Sequence, residues 1–502
     1  MMPFVIACIF VLLAEGTGHS FLKIFHIKRS GFASPIGAAI LFSLLEILYL
    51  PRLCLGGPFG WIKGSTFLVL IFAIVCVLSN LKGIASSIVR GRIIYVLLAG
   101  SMMFGLFYIC KTNLAVGNDR ELLLMANNMN SQSIMLENNR LQGYEMFGSF
   151  AIWLFEGNFE KGALTLALFA TMMSAMLCLN MIDSFEIGNP WFRFTLIVSS
   201  IFYSQFYSWE IAGAYHGGNW RIFFIALALC TLYQWIKSGV ENVKYIFPFV
   251  VFAGMFSHNG FLMIGFELVY LCAVYLFNTK KIRSLFDITT FLIPVFIYCI
   301  AWLTKYSLVS AVILSIVLIL FYCARLKRSV FLIGSFFLRC FTVQYAVPYS
   351  EYIHFFSNSA ISTCLFMSGS ILDNALNIFR WAGVFVFLSR ASKPEEKMMR
   401  MIFLGMVVFF VNPLCMGMLS RITGLAMYAH AFEIIFNPFT DIMIFYWIYK
   451  QFEWTVIGQW ILELTLVITC VLGHVSSFVD HPAGLYTDLL TRDPKNGSVI
   501  LP

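Results

Sequence analysis

Long apolar runs separated by short polar loops fill most of the chain. The first four lie near residues 3–22, 34–54, 65–82 and 92–111. Later ones fall near 162–183, 194–210, 220–236, 245–257, 260–278, 287–303, 306–324, 329–345, 373–390, 399–418, 436–450 and 457–473. A membrane helix needs about 20 mostly apolar residues, so the pattern predicts about sixteen spanning or partly inserted helices. The run at 245–257 is short and holds Pro248, which marks it as re-entrant or interfacial. One interval breaks the rhythm: 112–161 is the longest polar stretch between apolar runs. The chain therefore divides into a four-span segment at 1–111, a loop at 112–161, a main bundle at 162–473 and a polar tail at 474–502.

Composition agrees with the pattern. Of 502 residues, 60% are hydrophobic and only 12% charged, too few charges for the surface of a soluble domain. The predicted fold class is all-α, a polytopic membrane helix bundle with short interfacial helices in the outer loop. The formal net charge of +8 does not indicate a nucleic-acid partner, because the basic residues are spread through short loops between apolar runs. Thirteen cysteines, scattered singly and without a Cys-x-x-Cys pair, indicate neither a disulfide framework nor a metal site. Residues 1–15 lack the positive leading region of a signal peptide, and the basic cluster Lys23, Lys28 and Arg29 follows the apolar run. They read as a retained first span with the N-terminus outside.

Positive charge then sets the sides. Lys23, Lys28 and Arg29, and later Lys82, Arg90 and Arg92, outweigh Arg52 and Lys63 between them, which makes the first and third loops cytoplasmic and 112–161 external. Continued alternation puts the basic clusters 237–244, 280–283, 325–328 and 390–400 on the cytoplasmic side. The external face then collects Asp119, Arg120, Glu121, Glu145, Glu210, His216, Arg221, His258, Glu351, His354, Arg421, His430, Glu433 and Asp480.

Three stretches of that face carry candidate chemistry. Gly117-Asn118-Asp119-Arg120-Glu121 is a turn just past a span, where a carboxylate beside a cation can deprotonate a hydroxyl. After it, 122–129 reads as a short helix, and the aromatic run 144–155 as a segment lying in the headgroup plane. The second stretch, 203–221, sets Glu210, His216 and Arg221 among tyrosines and tryptophans, a mixture suited to stacking on a sugar ring while binding its hydroxyls. In the third, Arg421 and His430 can hold a phosphate, Tyr428 stands nearby, and Glu433 falls three residues after His430 on a shared helical face. His258-Asn259-Gly260 is a weaker candidate, reading more readily as a plain turn between two spans.

The many spans, the Asn118-Asp119 loop, the later loop with Arg421, and the pattern Asn412-Pro413 followed by Tyr428-Ala-His430-Ala-Phe-Glu433-Ile-Ile-Phe-Asn437-Pro438 resemble the membrane C-type glycosyltransferase superfamily, including uncharacterised bacterial members. The resemblance covers roughly residues 90–450 in layout. It implies sugar transfer from a polyprenyl-phosphate donor to a cell-envelope glycan, lipid or protein acceptor on the external face. Asp119 would then be the catalytic base, and Arg421 and His430 the phosphate holders. Arg120, Glu145, Glu210, His216, Arg221, His258, Tyr428 and Glu433 complete the substrate-binding candidates. The family commonly places its acid loop after the first span and often pairs two acids there. Here the loop follows the fourth run and Asn118 replaces one carboxylate, so a divalent metal is possible but not indicated and no cofactor is expected. The competing readings are a polymerase of lipid-linked glycans and a flippase or transporter, for which ionisable residues near apolar runs, such as Glu46, Glu267 and Asp373, are the signature.

The orientation has a direct check. A cysteine placed by Ser131→Cys should react with a membrane-impermeant maleimide in intact cells; labelling only after permeabilisation would invert the assignment.

Overall fold

A computed structural model describes residues 1–27, 32–89, 143–185, 217–238, 245–257, 393–406 and 437–451 as continuous stretches, with isolated positions between them. All ten elements named below are helices: α1 (Met2–Ile24), α2 (Ala33–Leu55), α3 (Phe59–Ser79), α4 (Leu81–Val89), α5 (Gly143–Trp153), α6 (Phe159–Ser184), α7 (Gly217–Ser238), α8 (Phe247–Ser257), α9 (Pro394–Met406) and α10 (Pro438–Gln451). Among the described residues, α1, α2, α3 and the Lys161–Ser184 part of α6 are long and apolar enough to cross a membrane. Such helices satisfy their own backbone hydrogen bonds, the condition for stability in hydrocarbon.

Small residues set the closest packing. Ala14 and Gly18 on α1, four residues apart, face Ala33 and Gly37 on α2, also four apart. A methyl group added at Gly18 would fall on the Ala33 backbone, and one at Gly37 on the Ala14 carbonyl. Apolar side chains gain little by leaving lipid for each other, so close backbone approach of this kind supplies contact energy between membrane helices. Glu15 bridges the same crossing, accepting a hydrogen bond from Ser34 and pairing with His19 at 3.0 Å. Asn80, at the break between α3 and α4, ties back to Ser20 at 2.7 Å.

Burial separates core from periphery. In the apolar window of α6, 94% of residues are buried, against 28% in α3. Phe67, Leu68, Ile71, Val75 and Leu78 of α3 are exposed, an apolar face matched to lipid tails. The core of the bundle is aromatic: Phe42 of α2 lies 4.5 Å from Trp220 of α7 and 5.5 Å from Phe147 of α5, and Phe10 and Phe169 close the cluster.

Two sequence expectations change here. The 144–155 run does not lie in the headgroup plane: Gly143 through Ile152 are all buried, so α5 has no face left for the lipid surface. Its alternation of aromatics with Gly148, Ser149 and Ala151 makes it a core helix. Pro248 does not interrupt α8, because it occupies the second helical position, where the missing N–H is no loss.

The fold yields one stability prediction. Gly37→Leu should drive α1 from α2 and cost about 1–3 kcal/mol, read as a lowered thermal midpoint in detergent. An unchanged midpoint would show that this crossing contributes little.

Candidate functional site

The hairpin between α2 and α3 shapes one end of the bundle. Gly56 closes α2 with a φ of 79°, a left-handed conformation that favours glycine, and its N–H bonds the Arg52 carbonyl at 2.9 Å. The chain then turns through Gly57 and Pro58 into α3. Lys63 lies 4.9 Å from the Trp153 ring centroid, which puts the carboxyl end of α5 beside the start of α3. Between α5 and α6 the chain reverses through Glu156 and Gly157, both with positive φ, and Asn158 caps α6 by accepting the Lys161 N–H at 2.9 Å.

The amino end of α5 lies much deeper. Gly143 packs directly against the Glu46 carboxyl group, so closely that a methyl group there would overlap it. Glu46 precedes Leu55, the end of α2, by nine residues, or about 13 Å along a helix. Part of the 112–161 interval is therefore sunk into the bundle: α5 begins beside Glu46 and climbs to Trp153 near the α2–α3 turn. Met125, Ala126, Asn128 and Met129 are helical as well, and Ser149 Oγ donates to the Met125 carbonyl at 2.9 Å, pinning that stretch to α5.

This arrangement gathers an unusual set of buried polar groups. Glu46 is 1% exposed and its Oε2 accepts no hydrogen bond from the described residues. Glu145, 0% exposed, stands close enough for the two carboxyl groups to interact electrostatically. Tyr49 follows one turn after Glu46 and donates to Thr66 Oγ1 at 2.5 Å, since that hydroxyl is itself committed to the Ile62 carbonyl at 2.7 Å. Arg52 is 1% exposed. Its Nε donates to the Gly57 carbonyl at 3.0 Å and its Nη2 to the Asn128 carbonyl at 2.9 Å.

Of the residues singled out in the sequence, Glu145 and Arg221 are described. Both are buried, Glu145 on α5 and Arg221 on α7, and the two helices meet the aromatic cluster around Phe42 through Phe147 and Trp220. Asp119, Arg120, Glu210, His216, His258, Arg421, Tyr428, His430 and Glu433 lie outside the described residues. Sequence reasoning named Glu46 only as a charge near an apolar run and Arg52 only as a loop charge. It did not name Asn128 at all. For Glu46 and Arg52 the available signal was position, ionisable groups inside the predicted span 34–54 rather than in a loop.

The late Asn437-Pro438 pair belongs to the other end of the bundle. Asn437 caps α10, its side chain accepting the Phe439 N–H at 3.1 Å. Phe439 lies 5.9 Å from both Phe185 and Tyr233, at the carboxyl ends of α6 and α7, where Lys237 also bonds the Ser184 carbonyl at 2.7 Å. Trp220 and Tyr233 are thirteen residues apart on α7, about 20 Å along its axis. The expected entry of the 436–450 segment from the face that carries the 112–161 interval is thus not what the contacts give.

Searches against protein-family models, curated proteins and solved structures find no match to this chain.

The seat of Glu46 on α5 makes a testable prediction. Gly143→Ala should displace the carboxyl group and lower thermal stability, while adding Glu46→Ala should recover part of the loss. The double-mutant cycle should show an interaction of about 0.5–3 kcal/mol. Strict additivity would show that the two residues do not touch.

Proposed function

We propose that this chain is a multi-pass membrane glycosyltransferase of the C type, moving a sugar from a polyprenyl-phosphate donor to a cell-envelope glycan, lipid or protein acceptor on the external face. The observation that carries the reading is the insertion of α5, which brings Glu145 of the 112–161 interval beside Glu46 of α2 inside the bundle. The resemblance draws attention to the same interval as the bearer of the catalytic acid. A transferase working on a lipid-linked sugar needs hydroxyl-binding groups reachable from the lipid and shielded from water, and buried carboxyl groups between packed helices answer that need.

In this reading Asp119 is the base that takes the proton of the attacking acceptor hydroxyl. Glu145 accepts hydrogen bonds from sugar or acceptor hydroxyls and fixes their orientation. The sugar's anomeric carbon forms its new bond to the acceptor oxygen as the bond to the donor phosphate oxygen breaks, and the phosphate leaves with both electrons. Arg221, buried on α7, is the cation proposed to meet the charge that develops on it.

Proton-linked transport is the second reading. It is favoured by ionisable groups within candidate spans, Glu15 with His19 on α1 and Glu46 on α2.

One assay separates the two. Purified protein in nanodiscs, given synthetic polyprenyl-phosphate sugars, should transfer sugar, and Asp119→Asn and Glu145→Gln should each slow turnover about a hundredfold or more. Equal rates for wild type and both variants would remove these residues from catalysis. Absence of transfer together with proton-driven solute uptake into proteoliposomes would replace the enzyme with a transporter.

A further inference from the structure

Arg52 poses a problem that its own contacts do not solve. Its guanidinium is buried, yet among the described residues no carboxylate pairs with it. Two of its nitrogens are held by the carbonyls of Gly57 and Asn128, while Nη1 is buried with no partner. The carboxyl end of α2, where Arg52 sits in the last turn, offsets part of the charge, but only a fraction of a unit. A buried guanidinium normally finds an anion, because its desolvation is otherwise uncompensated.

A second donor without a partner among the described residues belongs to the residue that Arg52 already bonds. Asn128 gives its carbonyl to Arg52, and its side-chain Nδ2 is buried with no partner either. Asn128 is 2% exposed. Two unused N–H donors, one of them charged, on residues already joined by a hydrogen bond are what a phosphate oxygen would take up. The carboxyl groups do not cancel the site: Glu46 is six residues earlier on α2, about 9 Å along the axis and about a third of a turn around it, with Tyr49 between them.

We infer that Arg52 and Asn128 are the donors of a phosphate-binding site, built where the α2–α3 turn meets Asn128. The ligand is a phosphate group carried on a lipid, since the donors belong to the end of one candidate span and to a segment packed among others. A polyprenyl phosphate and an ordinary anionic phospholipid present the same chemistry. The inference rests on the glycosyl-transfer reading only in preferring the first. On that preference, Glu46 stands one to two helical turns away along α2, with Glu145 near enough to interact with it, where the hydroxyls of a sugar attached to the phosphate would lie.

The test uses the full chain in nanodiscs of zwitterionic lipid, with binding and thermal midpoint measured for four probes: synthetic polyprenyl phosphate, the matching polyprenol, phosphatidylglycerol and inorganic phosphate. Wild type should bind polyprenyl phosphate about tenfold or more tightly than polyprenol. Arg52→Gln should lose about tenfold or more of that affinity, Asn128→Ala a smaller share, and Arg52→Lys should keep part of it, because an ammonium retains the charge without the planar fork. Phosphatidylglycerol binding as well as polyprenyl phosphate, with the same loss in the variants, supports the site but removes the sugar donor, and so counts against the glycosyl-transfer reading alone. Equal binding of polyprenol and polyprenyl phosphate by wild type overturns the inference, as does wild-type affinity for every phosphate probe in both Arg52→Gln and Asn128→Ala. If Arg52→Gln does not fold, the wild-type comparison with polyprenol and the Asn128→Ala variant decide.

Discussion

A carboxyl group resting on the first residue of a helix governs how deep the 112–161 interval enters the bundle. Glu46 lies on a candidate membrane span, where an isolated carboxylate is costly, and the residue facing it is Gly143, at the amino end of α5. Only a residue without a side chain lets the helix end come that close. The contact sets the depth of α5, which in turn brings Glu145 beside Glu46 and, through the Ser149 bond to Met125, holds the 125–129 stretch near Arg52. Losing the fit at one glycine would therefore disturb four polar residues on three segments.

Both ends of the bundle bury polar groups, but among the described residues only one of them buries an arginine. At the end that holds the α2–α3 turn, polar groups are buried and incompletely paired among the described residues, with unused donors on Arg52 and Asn128 and an unused acceptor on Glu46. At the opposite end Lys237 donates to the Ser184 carbonyl, Arg193 pairs with Asp183 and Asn437 caps its own helix, while the buried Asn180 and Gln234 side chains have no hydrogen-bond partner among the described residues. Buried polar groups with unused bonding capacity carry a cost in stability that packing elsewhere must cover, which is why such groups mark places where something binds. The α1–α2 crossing, with its interlocked Ala14, Gly18, Ala33 and Gly37, is where close packing is most evident.

The glycosyl-transfer reading and the phosphate site draw on separate residues. The first needs carboxyl groups able to bind or deprotonate hydroxyls, as Asp119 and Glu145 would. The second needs only the donors of Arg52 and Asn128. A transporter would use the same buried carboxyl groups to carry protons, so the chemistry performed on a bound ligand, rather than its binding, separates the readings.

The sequence alone determined the class of the protein and where its helices run. Apolar runs at 3–22, 34–54, 162–183 and 220–236 reappear as α1, α2, α6 and α7 within a few residues, because run length and backbone hydrogen bonding in lipid leave helices as the only choice. Hydropathy could not say that 144–153 is sunk into the core rather than spread along the surface, since an aromatic helix is at home in both environments. Nor could it bring Glu46, Arg52, Asn128 and Glu145 together, because they are up to 99 residues apart and meet only through the depth at which α5 docks. Tertiary packing alone decided that depth, at Gly143, where the space left by a missing side chain is filled by the carboxyl group of another helix.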